Sequence, residues 1–243
     1  MADHGRVVKI APEDAEAASL WSDLGRLASH VLPAGWTLVG GLMVQLHAYE
    51  AGETDVRVTT DIDILGDARQ HAIEKIARAL DNDGFQLDPP SPTDGTSHRW
   101  RRGDLVVDLL ASDGLRGDPA MIGGVRTIQI PGGSQALQRT ETIEADIDGV
   151  LVRVRRPTLL GAVLIKARAI LVHDDPDAQR TDLVLLLSLI DDPSQTAAQL
   201  KGKERSWLRK CETLLGLDDP VLMAPFPPAR VQRARLAYRL LVA

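Results

Sequence analysis

Residues 57–65 read RVTTDIDIL, an extended apolar run interrupted by Asp61 and Asp63. Strand side chains alternate faces, so Asp61, Asp63 and Leu65 share one side while Ile62 and Ile64 share the other. Carboxylates two residues apart sit roughly 7 Å from each other at Cβ, so their oxygens can converge on one cation. Buried without such a partner, they would suffer both desolvation and mutual repulsion. A second strand-like run, LVVDLL (105–110), carries Asp108 where an apolar residue would otherwise stand. Paired beside the first, it would bring three carboxylates to one surface. Such a set suits Mg²⁺, which binds through a few carboxylates, water and substrate phosphates. Taken singly, each aspartate also reads as an edge residue reaching solvent.

Upstream, TLVGGLMVQLHA (37–48) reads as strand, Gly40-Gly41, then helix. Glycines at a strand-to-helix turn let backbone N–H groups approach a phosphate, and the helix N-terminus adds a favourable dipole. An amphipathic helix is expected over 13–32, from Leu20, Trp21, Leu24, Leu27 and Val31. HAIEKIARAL (71–80) reads as a helix closed by the DNDG turn. HRWRRGDLVVDLLAS (98–112) reads as two β runs about a turn at Arg102-Gly103. VRTIQI (125–130) is β-like, and Asp148-Gly149 signals a hairpin between TIEADI and VLVRV. After Pro157 the pattern turns helical through TLLGAVLIKARAILV and TDLVLLLSLI, with DDPDA between them. The division expected is an α/β domain over 1–155 with a mixed sheet, followed by an all-helical domain over 156–243.

The bulk properties narrow the class. With 243 residues, 44% hydrophobic and 26% charged, the chain fits an ordinary soluble globular protein. Aromatic residues make up only 3%, which disfavours base stacking as the main recognition device. Cys211 is the single cysteine, so an intrachain disulfide and a cysteine-based zinc cluster are excluded, and a reducing, cytoplasmic location is expected. The N-terminus lacks the basic and apolar regions of a signal peptide. The longest apolar run, LVLLL at 183–187, is far too short for a membrane span. His98 and His173 have no second histidine or cysteine at metal-ligand spacing, and His47 reads as a satisfied core residue. Neither a Gly-x-Ser-x-Gly elbow nor a P-loop is present. The net charge is −6, yet HRWRR, RVRR (153–156), KGKERSWLRK (201–210) and ARVQRARLAYR (229–239) are cation-rich. These read either as solvated faces or as patches for polyphosphate or RNA.

Together VGG (39–41), DID (61–63) and VDL (107–109) resemble the nucleotidyltransferase superfamily related to DNA polymerase β. The cassette RVTTDID (57–63) and the run RRPTLLGAVLIKARAI…RTDLVLLLSL are more narrowly similar to its AbiEii/AbiGii toxin-type, MenT-like branch, with Lys166 and Asp182 matching a helical lysine and an aspartate one helix later. The resemblance covers most of residues 36–190. It departs at Gln179, where the family often has an acid three positions before the second-helix aspartate.

This resemblance implies a Mg²⁺-dependent nucleotidyltransferase core followed by helices. Asp61, Asp63 and Asp108 would hold metal, and Asp108 would either ligate a second ion or act as base. Gly40, Gly41, Arg57, Thr60 and Lys166 are expected at the NTP, and Lys166 and Asp182 are expected in the catalytic set. By spacing, Lys166 shares the apolar side of its helix with Leu159, Val163 and Ile170, so it either snorkels or reaches phosphate. Asp182 alternatively complements a helix dipole, and Arg57 alternatively faces solvent. The implied activity is NMP transfer to an RNA acceptor, a tRNA 3′ end, by the toxin of a toxin–antitoxin pair with a cognate antitoxin and no membrane partner. The rival readings are nucleotidylation of a small hydroxylated molecule and a catalytically idle nucleotide- or RNA-binding domain.

Overall fold

The computed structural model describes residues 7–68, 71–114, 120–172 and 175–243. In chain order the first half carries β1 (Val8–Lys9), α1 (Ala15–Arg26), a π-helical turn (Leu27–Val31), β2 (Trp36–Leu38), α2 (Gly40–Glu50), β3 (Ile62–Gly66) and α3 (Ala72–Asn82). Next come β4 (Gln86–Leu87), β5 (Arg99–Arg102), β6 (Leu105–Ser112), β7 (Met121–Ile122), β8 (Val125–Arg126), β9 (Gln129–Ile130), α4 (Gly133–Gln138), β10 (Thr140–Ile147) and β11 (Val150–Pro157). The described residues beyond Pro157 form helices only: α5 (Leu159–Ala169), α6 (Pro176–Ser188), α7 (Pro193–Ala198), α8 (Glu204–Lys210), α9 (Glu212–Leu215), α10 (Pro220–Met223) and α11 (Pro228–Val242).

The expected mixed α/β architecture is present. The main sheet runs β2-β3-β6-β5-β4, with β9 added beside the end of β6. Its β3–β6 pair is parallel and its β2–β3, β6–β5 and β5–β4 pairs are antiparallel. On one face α3 closes so tightly that a Cβ on Gly66 would lie 2.5 Å from Ile73 Cδ1. On the other, α4 presses Gly133 against Ser112 and Leu65. A second sheet pairs β1 parallel to β10, and β10 antiparallel to β11 from Thr140–Pro157 down to Ile147–Val150. Its turn holds Asp148 at φ +51° and Gly149 at φ +80°. Two successive left-handed residues make the type I′ geometry that an Asp-Gly pair favours. Arg155 ties this hairpin to the main sheet, its Nε donating to the Trp36 carbonyl at 2.8 Å.

The run expected as one strand over 57–65 forms a ladder only from Ile62. Residues 57–61 take no strand partner; β2 is three residues long and pairs only with Ile64–Gly66, and β6 pairs only from Ile62 onward. Side chains hold this segment instead. Gln45 Nε2 donates to the Arg57 carbonyl at 2.9 Å, and Trp21 Nε1 donates to Gln45 Oε1 at 3.2 Å. The helix expected over 13–32 begins under an Asp14 cap at Ala15 and ends in the π-helical turn.

Buried apolar residues from Val8 to Leu241 form one contiguous core that joins the strands to the C-terminal helices. Helices α6, α7 and α10 each start at an Asp-Pro pair, with the aspartate accepting backbone N–H groups and the proline in the first turn. This places a good cap before a residue that needs no hydrogen bond there. His47 is buried and bonded through Nε2 to the Pro157 carbonyl at 3.0 Å. Its ring is held well below its ordinary pKa by burial and by the charge of Arg156. Cys211 is buried and its thiol is pushed up to about 12 by desolvation, which makes it inert. No helix among the described residues is long and apolar enough to cross a membrane.

The last helix is clamped onto the segment leading to β3. Arg230 reaches Asp55 Oδ2 at 3.0 Å, Glu53 Oε2 at 3.2 Å and the Asp55 carbonyl at 3.3 Å. Arg230→Ala should therefore lower unfolding free energy by roughly 1–3 kcal/mol, through loss of charged hydrogen bonds. Urea unfolding would read this as a lower midpoint at unchanged slope.

Candidate active site

The parallel register of β3 and β6 sets Asp63 directly beside Asp108. Asp61 stands two residues before Asp63, in the bend that leads into β3. One oxygen from each of Asp61, Asp63 and Asp108 lies within 4.8 Å of the others, so the three carboxylates can hold a metal ion. They line a cleft of about 680 Å³ that also takes in Gly40, Gly41, Arg57, Thr59, Arg99, Lys166 and Gln179.

The two glycines are required by contact. Gly40 opens α2 at φ +67°, and a Cβ there would fall 1.7 Å from Asp63 Oδ2. A Cβ on Gly41 would fall 2.7 Å from the Thr59 side chain. The turn thus packs the start of α2 directly on the acidic cluster. Thr59 Oγ1 in turn donates to Asp61 Oδ1 at 3.0 Å and fixes that carboxylate.

The opposite wall carries cations. Asp182 is 1% exposed and does not line the cleft. Arg57 donates from Nε and Nη2 to its two oxygens at 3.2 and 3.3 Å, and Lys166 Nζ lies 2.8 Å from its Oδ2. Lys166 also donates to Gln179 Oε1 at 3.2 Å. Lys166 is 5% exposed, yet it borders the cleft, so it is neither snorkelling into solvent nor sealed in the core. Asp182 is a buried counter-ion that aims Arg57 and Lys166 and, at its depth, does not reach the cleft.

Besides Asp182, which lies behind the cleft, the structure keeps a second expected residue, Thr60, away from it. Thr60 is exposed and borders a separate depression with Ser19, Asp23 and Arg102. Thr59 borders that depression too, but it alone of the two threonines lines the cleft. His98 borders the cleft, with Nε2 3.8 Å from Asp108 Oδ2. His173 lies outside the described residues.

Arg99 was not singled out from the sequence, although it faces the acidic cluster. Its Nε and Nη2 donate to the two oxygens of Asp108 at 2.8 and 2.7 Å, and Nη2 lies 3.7 Å from Asp61 Oδ2. The turn falls at Gly103-Asp104, one residue later than the Arg102-Gly103 expected; this register pairs Arg102 with Leu105 and, three steps further, Arg99 with Asp108, where the expected turn would have set Ser97 there.

The cation-rich stretches are largely engaged within the chain. Arg101 and Arg102 pair with Asp88 and Asp83, and Arg156 with Glu50 and Glu141. Arg205 and Arg209 donate to the carbonyls of Leu241 and Val242. In the C-terminal run, Arg230 and Arg233 pair with Glu53, and Arg235 and Arg239 with Asp218.

Neither a family model nor a curated protein matches the chain. Among solved structures, the crystal structure of an antigenic nucleotidyltransferase-like protein from Paracoccidioides brasiliensis is similar over 92% of this chain and 95% of that one, at 14% identity and a TM-score of 0.48. A likeness at this level decides nothing about fold or chemistry, which rest on the residues of the cleft.

The clustering has a measurable consequence. Burial, then the charges on Asp61 and Asp108, push the Asp63 carboxyl up to about 7, against the pull of Lys166 and Arg57. The unfolded chain ionises this group near 3.8, so between those values the folded protein holds a proton that the unfolded chain has lost. Asp63 therefore contributes stability below about pH 4 that disappears as pH rises through about 7. With chelator present, the wild-type melting temperature should fall more steeply between about pH 5 and 7.5 than that of Asp63→Asn, which should be the more stable protein at the upper end. Parallel slopes for the two proteins would contradict a raised Asp63.

Proposed function

We propose that the chain is a Mg²⁺-dependent nucleotidyltransferase that moves NMP from an NTP to a hydroxyl acceptor. One observation carries this reading: three carboxylates converge beside a glycine turn at a helix start, while two cations held by a buried aspartate border the same cleft. The donor set consists of hard oxygens with a surplus of negative charge, which fits a hard divalent cation. Held by Asp61, Asp63 and Asp108, Mg²⁺ would neutralise phosphate oxygens of the bound NTP.

The chain's own residues have separable tasks. Gly40 and Gly41 bring the first turn of α2 close to the cluster, where its backbone N–H groups and dipole favour phosphate. Thr59 orients Asp61. Lys166 and Arg57 offer positive charge to the triphosphate, and Asp182 fixes where that charge sits. In the transfer, the acceptor hydroxyl would give up its proton to Asp108 or to water as its oxygen bonds to the α-phosphorus and the bond to the leaving phosphate oxygen breaks, releasing pyrophosphate.

The resemblance of RVTTDID and of the Lys166–Asp182 pair to the AbiEii/AbiGii branch supports a tRNA 3′ end as acceptor and a cytoplasmic toxin role with a cognate antitoxin. A second reading, transfer to a small cationic hydroxylated molecule, is favoured by the net charge of −6 and by the engagement of the arginine-rich stretches inside the chain. Purified protein incubated with each labelled NTP, Mg²⁺ and total RNA separates the two. Label in RNA supports the first, label only on an added small molecule supports the second, and NTP binding without any transfer would leave an idle binding domain.

Asp61→Asn and Asp63→Asn should each lower transfer at least 100-fold, by analogy with the loss of a group that stabilises charge in the transition state. Asp182→Asn should act more mildly, on NTP affinity first, because it aims Lys166 and Arg57 without touching substrate. Mg²⁺ with NTP should raise the wild-type melting temperature and leave that of Asp61→Asn nearly unmoved. For the toxin role, induction in a bacterial host should arrest growth, and unimpeded growth at good expression would remove that claim.

A further inference from the structure

The Arg99 guanidinium is bound to a carboxylate of the set that would hold a cation. Its fork takes both oxygens of Asp108 at 2.8 and 2.7 Å while Nη2 lies 3.7 Å from Asp61 Oδ2. Asp108 is 5% exposed, so an unpaired charge there would be strongly unfavourable. Arg99 itself is held loosely apart from these contacts, with 38% of its side chain exposed along the cleft wall. A cation joining Asp61, Asp63 and Asp108 would share the Asp108 carboxylate with this guanidinium, and the repulsion between two positive charges at one carboxylate favours the withdrawal of Arg99. The displaced guanidinium then stands in the cleft without an acceptor unless an anion is there, and a triphosphate supplies several.

We propose that Arg99 is a displaceable counter-ion that holds the acidic cluster together without metal, competes with the divalent cation for Asp108, and turns to the nucleotide phosphates when displaced. The proposal rests on the nucleotidyltransferase reading of the site. It makes metal alone a weak ligand and makes metal and nucleotide strengthen each other's binding, a coupling that is reciprocal by linkage. Arg99 is thus a positioning residue for the metal-free state and a phosphate ligand for the loaded one.

Mn²⁺ binding followed by electron paramagnetic resonance, with and without a non-hydrolysable NTP analogue, tests this without any turnover. Arg99→Gln should bind Mn²⁺ alone on the order of tenfold more tightly than wild type, since one strong charged competitor is removed. The enhancement of Mn²⁺ binding by the analogue should be smaller in Arg99→Gln than in wild type. Arg99→Lys keeps the charge but not the fork, frees one Asp108 oxygen, and should bind Mn²⁺ alone several-fold more tightly than wild type. It carries the test should Arg99→Gln fail to fold. Equal or weaker Mn²⁺ binding by folded Arg99 variants, while Asp63→Asn abolishes the wild-type signal, would overturn the counter-ion role alone. No Mn²⁺ bound by any of these proteins, with or without the analogue, would overturn the metal-site reading and the counter-ion role with it.

Discussion

The constraint on which the site depends is an imbalance of charge. Asp61, Asp63, Asp108 and Asp182 are brought into one region by β3 and the residue before it, β6 and α6, and three basic side chains meet them: Arg57, Arg99 and Lys166. Formally one negative charge is left over, and at Asp63 burial, followed by the charges of Asp61 and Asp108, pushes the carboxyl up to about 7. A purely structural network would balance, because each uncompensated buried charge costs several kcal/mol in effect. Here the surplus sits in an open cleft rather than in the core. Local conflicts that a fold retains in such places mark function better than structure.

The arrangement also explains why so many elements end at this point. The glycine turn, the start of β3, the middle of β6 and the helices α5 and α6 contribute side chains from distant parts of the chain. Parallel pairing of β3 with β6 fixes Asp63 beside Asp108, whereas a register shift of one residue would put an apolar neighbour there. Gly40 lets α2 begin where any side chain would collide with Asp63. The buried trio of Trp21, Gln45 and the Arg57 carbonyl anchors a segment that has no strand partner. Hydrogen bonds thus set the geometry of Arg57 to Asp61 where a ladder does not.

Much of this was legible in the sequence, for physical reasons that differ between residues. Asp61, Asp63 and Asp108 stood out because a charge within an apolar, period-two run is costly without a partner. The Asp148-Gly149 hairpin and the switch to helices after Pro157 followed from turn chemistry and periodicity. What sequence reading missed depended on pairing. The depth of Asp182 and its double engagement follow from packing of α6, which periodicity alone does not give. The Thr59/Thr60 choice turned on which side of a segment without a strand partner faces the cleft. Arg99 was missed because the turn lies at Gly103-Asp104 and not at Arg102-Gly103, and that one-residue shift is what sets Arg99 opposite Asp108.

Gln179 shows how the imbalance is tuned. The position three residues before Asp182 carries an amide rather than an acid. Its Oε1 accepts from Lys166 while Asp182 takes the same ammonium from the other side. A carboxylate there would add a second surplus charge to a region that already has one and would hold Lys166 more firmly away from the cleft. A neutral acceptor satisfies one N–H of the ammonium without cancelling its charge, so more of that charge remains for an anion. The same logic applies to Arg57, which divides its donors between Asp182 and the Val58 carbonyl. Both cations are thus fixed in place by weak or shared acceptors, and their positive potential is directed at the cleft.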